Sequence, residues 1–164
     1  MCVDLAMIKR DRDYLVQNDT WRIQVILKLG QGEASMSEMK KWEAVYRTTN
    51  TGDGADAVVV IPIIKQSQKK DSLILVKQYR PPLKAYSIEF PAGLIDKGES
   101  PLECAVREMK EETGYTGIPK DCSPGISLDP GLSSSTVNMV TLEINGDVPE
   151  NSNPQQHQGL CIDF

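Results

Sequence analysis

Three glutamates, Glu108, Glu111 and Glu112, stand at i, i+3 and i+4 in a stretch whose apolar residues repeat with helical period. They therefore fall on an arc of about 100° of one helix surface. Like charges four residues apart cost roughly 0.2–0.5 kcal/mol, a conflict that packing alone gives no reason to keep. A bound cation removes it. Mg²⁺ takes few carboxylates and fills its other positions with water or phosphate oxygens, so the chemistry on offer is metal-assisted attack on phosphorus. Taken alone, the same spacing also describes a solvated acidic face, the default for charged residues on a helix.

The flanking residues tip that balance. Gly93, five residues, Glu99, seven residues and then Arg107-Glu108-Met109-Lys110-Glu111-Glu112-Thr113-Gly114-Tyr115 closely resembles the signature of the Nudix family. Seven fixed positions would match by chance roughly once in 10⁸ starts. The resemblance implies an α/β fold of mixed α+β type, an α/β/α sandwich with a mixed sheet, in which the signature forms a loop, helix and loop. It implies that Glu108, Glu111 and Glu112 are metal-binding and catalytic, that the backbone of Ala92 adds a metal ligand, and that Arg107 orients a glutamate by a salt bridge. Mg²⁺, or Mn²⁺, is the implied cofactor. Tyr115 departs from the pattern, which usually has an aliphatic residue there; an aromatic can fill the same packing role.

Outside the signature, Trp42-Glu-Ala-Val-Tyr-Arg-Thr-Thr, Val76-Lys-Gln-Tyr-Arg-Pro-Pro, Ile88-Glu-Phe-Pro-Ala-Gly-Leu-Ile-Asp and Ser127-Leu-Asp-Pro-Gly-Leu-Ser are similar to the ADP-sugar pyrophosphatase branch of that family. The similarity runs over residues 21–148, and Pro130 stands where ADP-ribose-cleaving members carry a proline. The branch implies cleavage of ADP-ribose-like diphosphates to AMP and ribose 5-phosphate or another sugar phosphate. It implies that Trp21 and Trp42 sandwich the adenine, each face of the base gaining an offset stack. Arg47 and Arg80 would meet phosphate or the terminal ribose with a planar donor fork; Glu89 matches a further ligand position, and Asp129 a residue near the terminal ribose. Each has an ordinary alternative: a core or interface tryptophan, a surface arginine, a turn-forming aspartate. The branch also implies a homodimer that exchanges N-terminal strands and completes each adenine pocket with a partner's tryptophan.

Related enzymes run well past the point where this sequence stops, and they place a further catalytic glutamate on a late loop. Here that stretch reads Gln158-Gly159-Leu160-Cys161, and a leucine neither binds metal nor polarises water. Two functions therefore stand as expectations: an ADP-sugar hydrolase, or a catalytically silent nucleotide-binding or interaction module whose C-terminal part is cut short.

The elements that must position these residues are partly legible. Ser100 with Glu103 forms a capping box and Pro101 sits at the first helical position, so a helix starts there. Leu102, Ala105, Val106 and Met109 make its apolar stripe, and Gly114 is placed to end it. Residues 21–29 alternate and read as a strand, 30–37 as its turn and 42–49 as a partner, giving an N-terminal β-hairpin. Residues 57–64 and 73–79 are apolar runs around a polar turn, a second hairpin. Short strands are expected at 87–90, 125–128 and 137–144, and pattern is lost beyond Asn145. The expected division is residues 1–50 as dimerisation strands, 51–148 as the catalytic domain and 149–164 as a polar tail.

Composition bounds the rest. The 164 residues, with 40% hydrophobic and 25% charged, suit one globular domain. A formal charge of −5 gives no basic field for nucleic acid. Cys2, Cys104, Cys122 and Cys161 are too scattered for a zinc or redox motif and suit reduced thiols of cytoplasm or nucleus. No secretory signal or membrane span is expected, since the longest apolar run, residues 58–64, is broken by Pro62 and too short. The partner expected is thus a small-molecule ADP-sugar, with no nucleic acid and no membrane. His157, in the polar tail, is expected to take no part.

Overall fold

The protein, as a computed structural model, is described at residues 21–28, 40–47, 54–155 and 160–163. The chain divides into two compact units, Met1–Thr48 and Thr49–Phe164.

In the first unit, β1 (Trp21–Lys28) and β2 (Lys40–Arg47) form an antiparallel pair from Trp21 opposite Arg47 to Lys28 opposite Lys40. The alternating pattern predicts this pair, with β2 starting two residues earlier than expected. Residues 30–37, expected as the turn, and His157 lie outside the described residues.

The second unit is a mixed α/β fold with few helices. Its strands are β3 (Ala57–Lys65), β4 (Ser72–Arg80), β5 (Ala85–Glu89), β6 (Ala92–Leu94), β7 (Ile118–Cys122), β8 (Ile126–Ser127), β9 (Thr136–Asn145) and β10 (Leu160–Asp163). The sheet path is β10-β4-β3-β9-β7, with β5 on β4, β6 on β3 and β8 on β9. Among the described residues only β3 and β9 pair in parallel, in continuous register from Ala57–Val137 to Lys65–Asn145. Their alternating Val58, Val60, Ile64, Val140, Leu142 and Ile144 form the core with Ile74 and the buried face of the long helix. At 25 cal/mol per Å², a fully buried Val, Leu or Ile contributes roughly 1.5–3 kcal/mol.

The expected hairpin of β3 and β4 exists, but it pairs only at Ile63–Leu73 and Ile64–Ser72. Nearer its start, β3 pairs instead with β6, and Val60 N–H donates to Pro91 O at 2.8 Å. Pro62 has the same parity as Val60, so its missing N–H faces the gap between β6 and β4. That gap is how a proline is accommodated inside a central strand.

Helix α1 (Pro101–Thr113) begins with the capping box in both directions: Glu103 N–H donates to Ser100 Oγ at 3.3 Å, and Ser100 N–H to Glu103 Oε2 at 2.9 Å. Gly114, at φ +78°, closes it with its N–H on Lys110 O, a left-handed cap that glycine adopts without strain. The expected stripe holds in part: Ala105 and Met109 are buried and Val106 packs against the core. Cys104 and Thr113 join them, whereas Leu102 is 42% exposed; this face of the helix meets β3, β6, β7 and β9.

Strands β6 and β7 were not expected, and β5 begins earlier than the predicted 87–90. The stretch beyond Asn145 carries one-turn α2 (Pro149–Ser152) and β10, which pairs with β4 from Leu160–Lys77 to Asp163–Ile74. Among the described residues no helix is long and apolar enough to cross a membrane.

Candidate active site

The site is built where β6 lies under the last turns of α1. Antiparallel pairing sets Ala92 opposite Val59 and Gly93 opposite Val58, which fixes this short strand's backbone to the core sheet. Glu108 occupies the space a side chain at position 93 would need: a Cβ there would fall 1.8 Å from Glu108 Cδ. One turn on, Glu112 Oε2 accepts the Ala92 N–H at 3.2 Å. Two of the three glutamates thus rest on consecutive residues of β6, while Glu111 is 50% exposed.

Arg107 ties the helix to the preceding loop. Its Nε and Nη2 donate to the two oxygens of Glu99 at 2.8 and 2.9 Å, and Nη2 also donates to Leu94 O at 3.0 Å. Nη1 donates to Glu108 Oε1 at 2.6 Å and, more weakly, to Glu111 Oε2 at 3.4 Å. Such bidentate, charge-assisted bonds are the strong ones. The Arg107 fork, with the Asp96 N–H, holds the Glu99 carboxyl down to about 2. Cys104 donates its thiol to Leu94 O; burial, then the neighbouring Glu99, pushes that thiol up to about 12, which makes it inert.

The like-charge conflict read from the sequence is therefore answered in part by Arg107, which serves Glu108 and Glu111. Glu112 is left out. Burial above all, then the charges of Glu108 and Glu89, push its carboxyl up to about 7 against the Ala92 N–H and the Arg80 charge. Arg80 itself is held on Glu89, with Nε–Oε1 at 2.8 Å and Nη2–Oε2 at 2.5 Å, across the β4–β5 ladder. That bond holds the Glu89 carboxyl below its ordinary value.

Glu108, Glu112, Arg107 and the Ala92 backbone are thus brought together, with Arg80 and Glu89 near enough to act on Glu112. Asp129 lies in the turn after β8, where its carbonyl accepts from Leu132 N–H and Ser133 N–H, the role of a turn former. Trp21, Trp42 and Arg47 belong to the first unit; Arg47 is half-buried at the end of β2, and the two tryptophan side chains lie outside the described residues. Glu99 was not among the expected site residues, although a glutamate one position before the helix cap and eight before an arginine was a signal for it.

The donor set suits a hard divalent ion: carboxylate oxygens, one of them destabilised in its charged form. Among the described residues, no group of three or more His, Cys, Asp or Glu side chains stands gathered to hold a metal as it is, and Arg107 engages Glu108 and Glu111.

The chain's similarity to known proteins agrees with this geometry. A family model described as NUDIX domain matches residues 55–135. A Mus musculus protein named ADP-sugar pyrophosphatase is 49% identical over 120 residues, 73% of this chain and 55% of its own length. A Saccharomyces cerevisiae protein named ADP-ribose pyrophosphatase is 41% identical over 116 residues, 70% of this chain and 50% of its own. The chain spans about half the length of these curated relatives. The crystal structure of an ADP compounds hydrolase superposes with a TM-score of 0.50 at 22% identity, covering 87% of this chain and 74% of that one, and so supports the fold. Nudix hydrolases generally use divalent metal ions. Since Gly93, Glu99, Arg107, Glu108, Glu111 and Glu112 all lie inside the matched span and build one loop, helix and loop, the chain belongs to the Nudix family.

Proposed function

We propose that this chain hydrolyses the diphosphate of ADP-ribose and related ADP-sugars, giving AMP and a sugar phosphate, with Mg²⁺ or Mn²⁺ as the divalent ion. The seating of Glu108 and Glu112 on Gly93 and Ala92, in a chain similar to proteins named for this hydrolysis, carries the assignment. Glu108, Glu111, Glu112 and the Ala92 carbonyl would hold the ion. A divalent ion there supplies neutralisation of the diphosphate and a more acidic water.

The chain's own residues do the remainder. Glu112, its carboxyl pushed up to about 7 by burial, would give up a proton on holding a cation. Arg107 keeps Glu108 from swinging off β6. Arg80 has the fork to bind a phosphate, for which it exchanges its bond to Glu89. Arg47 and Asp129 would meet phosphate and terminal ribose, and Trp21 and Trp42 would stack the adenine across a homodimer. The chain's scattered cysteines suit the reduced thiols of cytoplasm or nucleus.

AMP release from ADP-ribose with added Mg²⁺, with chelator, and by Glu112→Gln tests this. Chelator-sensitive release that the substitution abolishes is the expected result; release indifferent to both overturns it. One observation favours a second reading. Leu160, standing where the resemblance places a catalytic glutamate, opens β10 opposite Lys77. If that acid is essential, the chain binds ADP-sugars without turnover: calorimetric binding with no AMP would establish this.

A further inference from the structure

The last turn of α1 carries Glu111 and Glu112, and the connection to β7 is only residues 114–117. Thr116 in that connection is gripped by a residue 35 positions away. Asn151 Oδ1 accepts the Thr116 N–H at 2.9 Å, and Asn151 Nδ2 donates to Thr116 O and to Asn145 O, each at 2.9 Å. Three of the four bonds an asparagine amide can make are used, on a residue 5% exposed. Around it, Glu150 Oε1 accepts from Thr116 Oγ1 at 2.9 Å and from Lys110 Nζ at 3.2 Å. Gln155 lies so close over the helix cap that a Cβ on Gly114 would fall 2.5 Å from its carbonyl oxygen. Residues 148–155 thus form a strap across the end of α1. They lie outside the matched family span of 55–135.

The sheet does not need this strap to join β7 to β9, which pair on their own from Ile118–Glu143. What it fixes is the connection that ends α1. Glu112 is the last residue but one of α1, four before Thr116 across the Gly114 cap, and accepts the Ala92 N–H at 3.2 Å. A slack connection lets that turn rise or rotate, and a displacement of about 1 Å in a catalytic group costs on the order of 100-fold in rate. We propose that Asn151 is a positioning residue for the carboxylates of α1, holding Thr116 so that Glu112 stays against Ala92. This rests on the role given to Glu112 above.

The test compares Asn151→Ala, Glu150→Gln and Val140→Ala with the parent chain. Val140→Ala loosens the core without touching the strap. Asn151→Ala is expected to lower kcat about 10- to 100-fold with KM for ADP-ribose within about 3-fold, and to weaken Mn²⁺ binding about 10-fold. It should also speed hydrogen exchange at the Ala92 amide. Glu150→Gln, at a side chain 59% exposed, should move the same quantities less and keep the fold intact. Val140→Ala should lower Tm while leaving kcat within about 3-fold. Unchanged Ala92 exchange and Mn²⁺ affinity in folded Asn151→Ala and Glu150→Gln overturn the proposal, as does an equal kcat loss in Val140→Ala. If the parent chain releases no AMP, the hydrolase reading falls, and Ala92 exchange together with Mn²⁺ affinity still decides the strap.

Discussion

Replacing Gly93 by alanine places a methyl group 1.8 Å from Glu108 Cδ. Carbon atoms settle at about 3.5–4.0 Å, so the carboxylate must retreat by roughly 1.7 Å at least. It can retreat, because it is the free end of a flexible side chain, but its 2.6 Å bond to Arg107 is then strained or lost. A hydrogen bond to a charged group contributes about 1.5–3 kcal/mol. Against this, alanine reduces the freedom of the unfolded chain by roughly 0.4–1 kcal/mol, with no backbone strain, since Gly93 is not among the positive-φ residues. The net loss is about 1–2 kcal/mol, a fall in Tm of roughly 2–8 °C. Turnover of ADP-ribose at saturating Mg²⁺, by contrast, should fall about 100-fold, because the displaced oxygen is one proposed to hold the ion. Calorimetry and an AMP-release assay on the same preparation separate the two effects. A stable Gly93→Ala chain with activity within 3-fold of the parent would refute the seating of Glu108; a chain that fails to fold would show that backbone, not the glutamate, fills the space.

Glu112→Gln should abolish metal-dependent turnover yet leave the metal-free chain as stable or more so at pH 8. Its carboxyl is raised from 4.5 to about 7, so the folded state holds the proton more tightly, and stability without metal declines as pH rises across that interval; Tm against pH in chelator checks this. Glu99 has the opposite sign. Lowered from 4.5 to about 2 by Arg107, it contributes stability above pH 4.5 that is lost as pH falls toward 2, on the order of 1–3 kcal/mol after screening. Urea unfolding at pH 6 and pH 3 should therefore show a steeper acid loss in the parent than in Glu99→Gln. Cys104, with its thiol near 12, should resist alkylation at pH 8 in the native chain while exposed Cys122 reacts, as peptide mass mapping would show.

Local chemistry made α1 legible: a capping box, a proline at the first turn and a glycine at the end all agree with the helical period of its apolar residues. The long strands β3 and β9 were legible for the same reason, as nine- and ten-residue elements rich in β-branched residues. What stayed hidden is set by partners far away in sequence. Strand β6 is three residues long and exists because β3 pairs with it. Strand β7, Ile-Pro-Lys-Asp-Cys, has no alternation to read because most of it is exposed. Spacing put Glu108, Glu111 and Glu112 on one arc but could not say which would find a cation. That depends on Arg107, whose direction is set by Glu99 before the helix, and on Arg80, held nine residues from Glu89 across a ladder. The grip of Asn151 on Thr116 lay deeper still, in a stretch with no pattern.

These partnerships explain why the site's stability and its chemistry pull in opposite directions. Six carboxylates, Glu89, Asp96, Glu99, Glu108, Glu111 and Glu112, crowd two guanidinium groups, Arg80 and Arg107. Glu99 and Glu89 take the two bidentate positions, Glu108 and Glu111 share what remains of Arg107, and Glu112 is left with a backbone N–H. A sequence selected for stability alone would replace Glu112 with a neutral residue, because its charge is unfavourable where it stands. Its presence makes sense if a cation or a proton must be taken up there, and the two compete. Divalent affinity should therefore climb as pH passes through about 7, where the proton leaves, and flatten above it. In Glu112→Gln the residual affinity should be weak and independent of pH over the same interval.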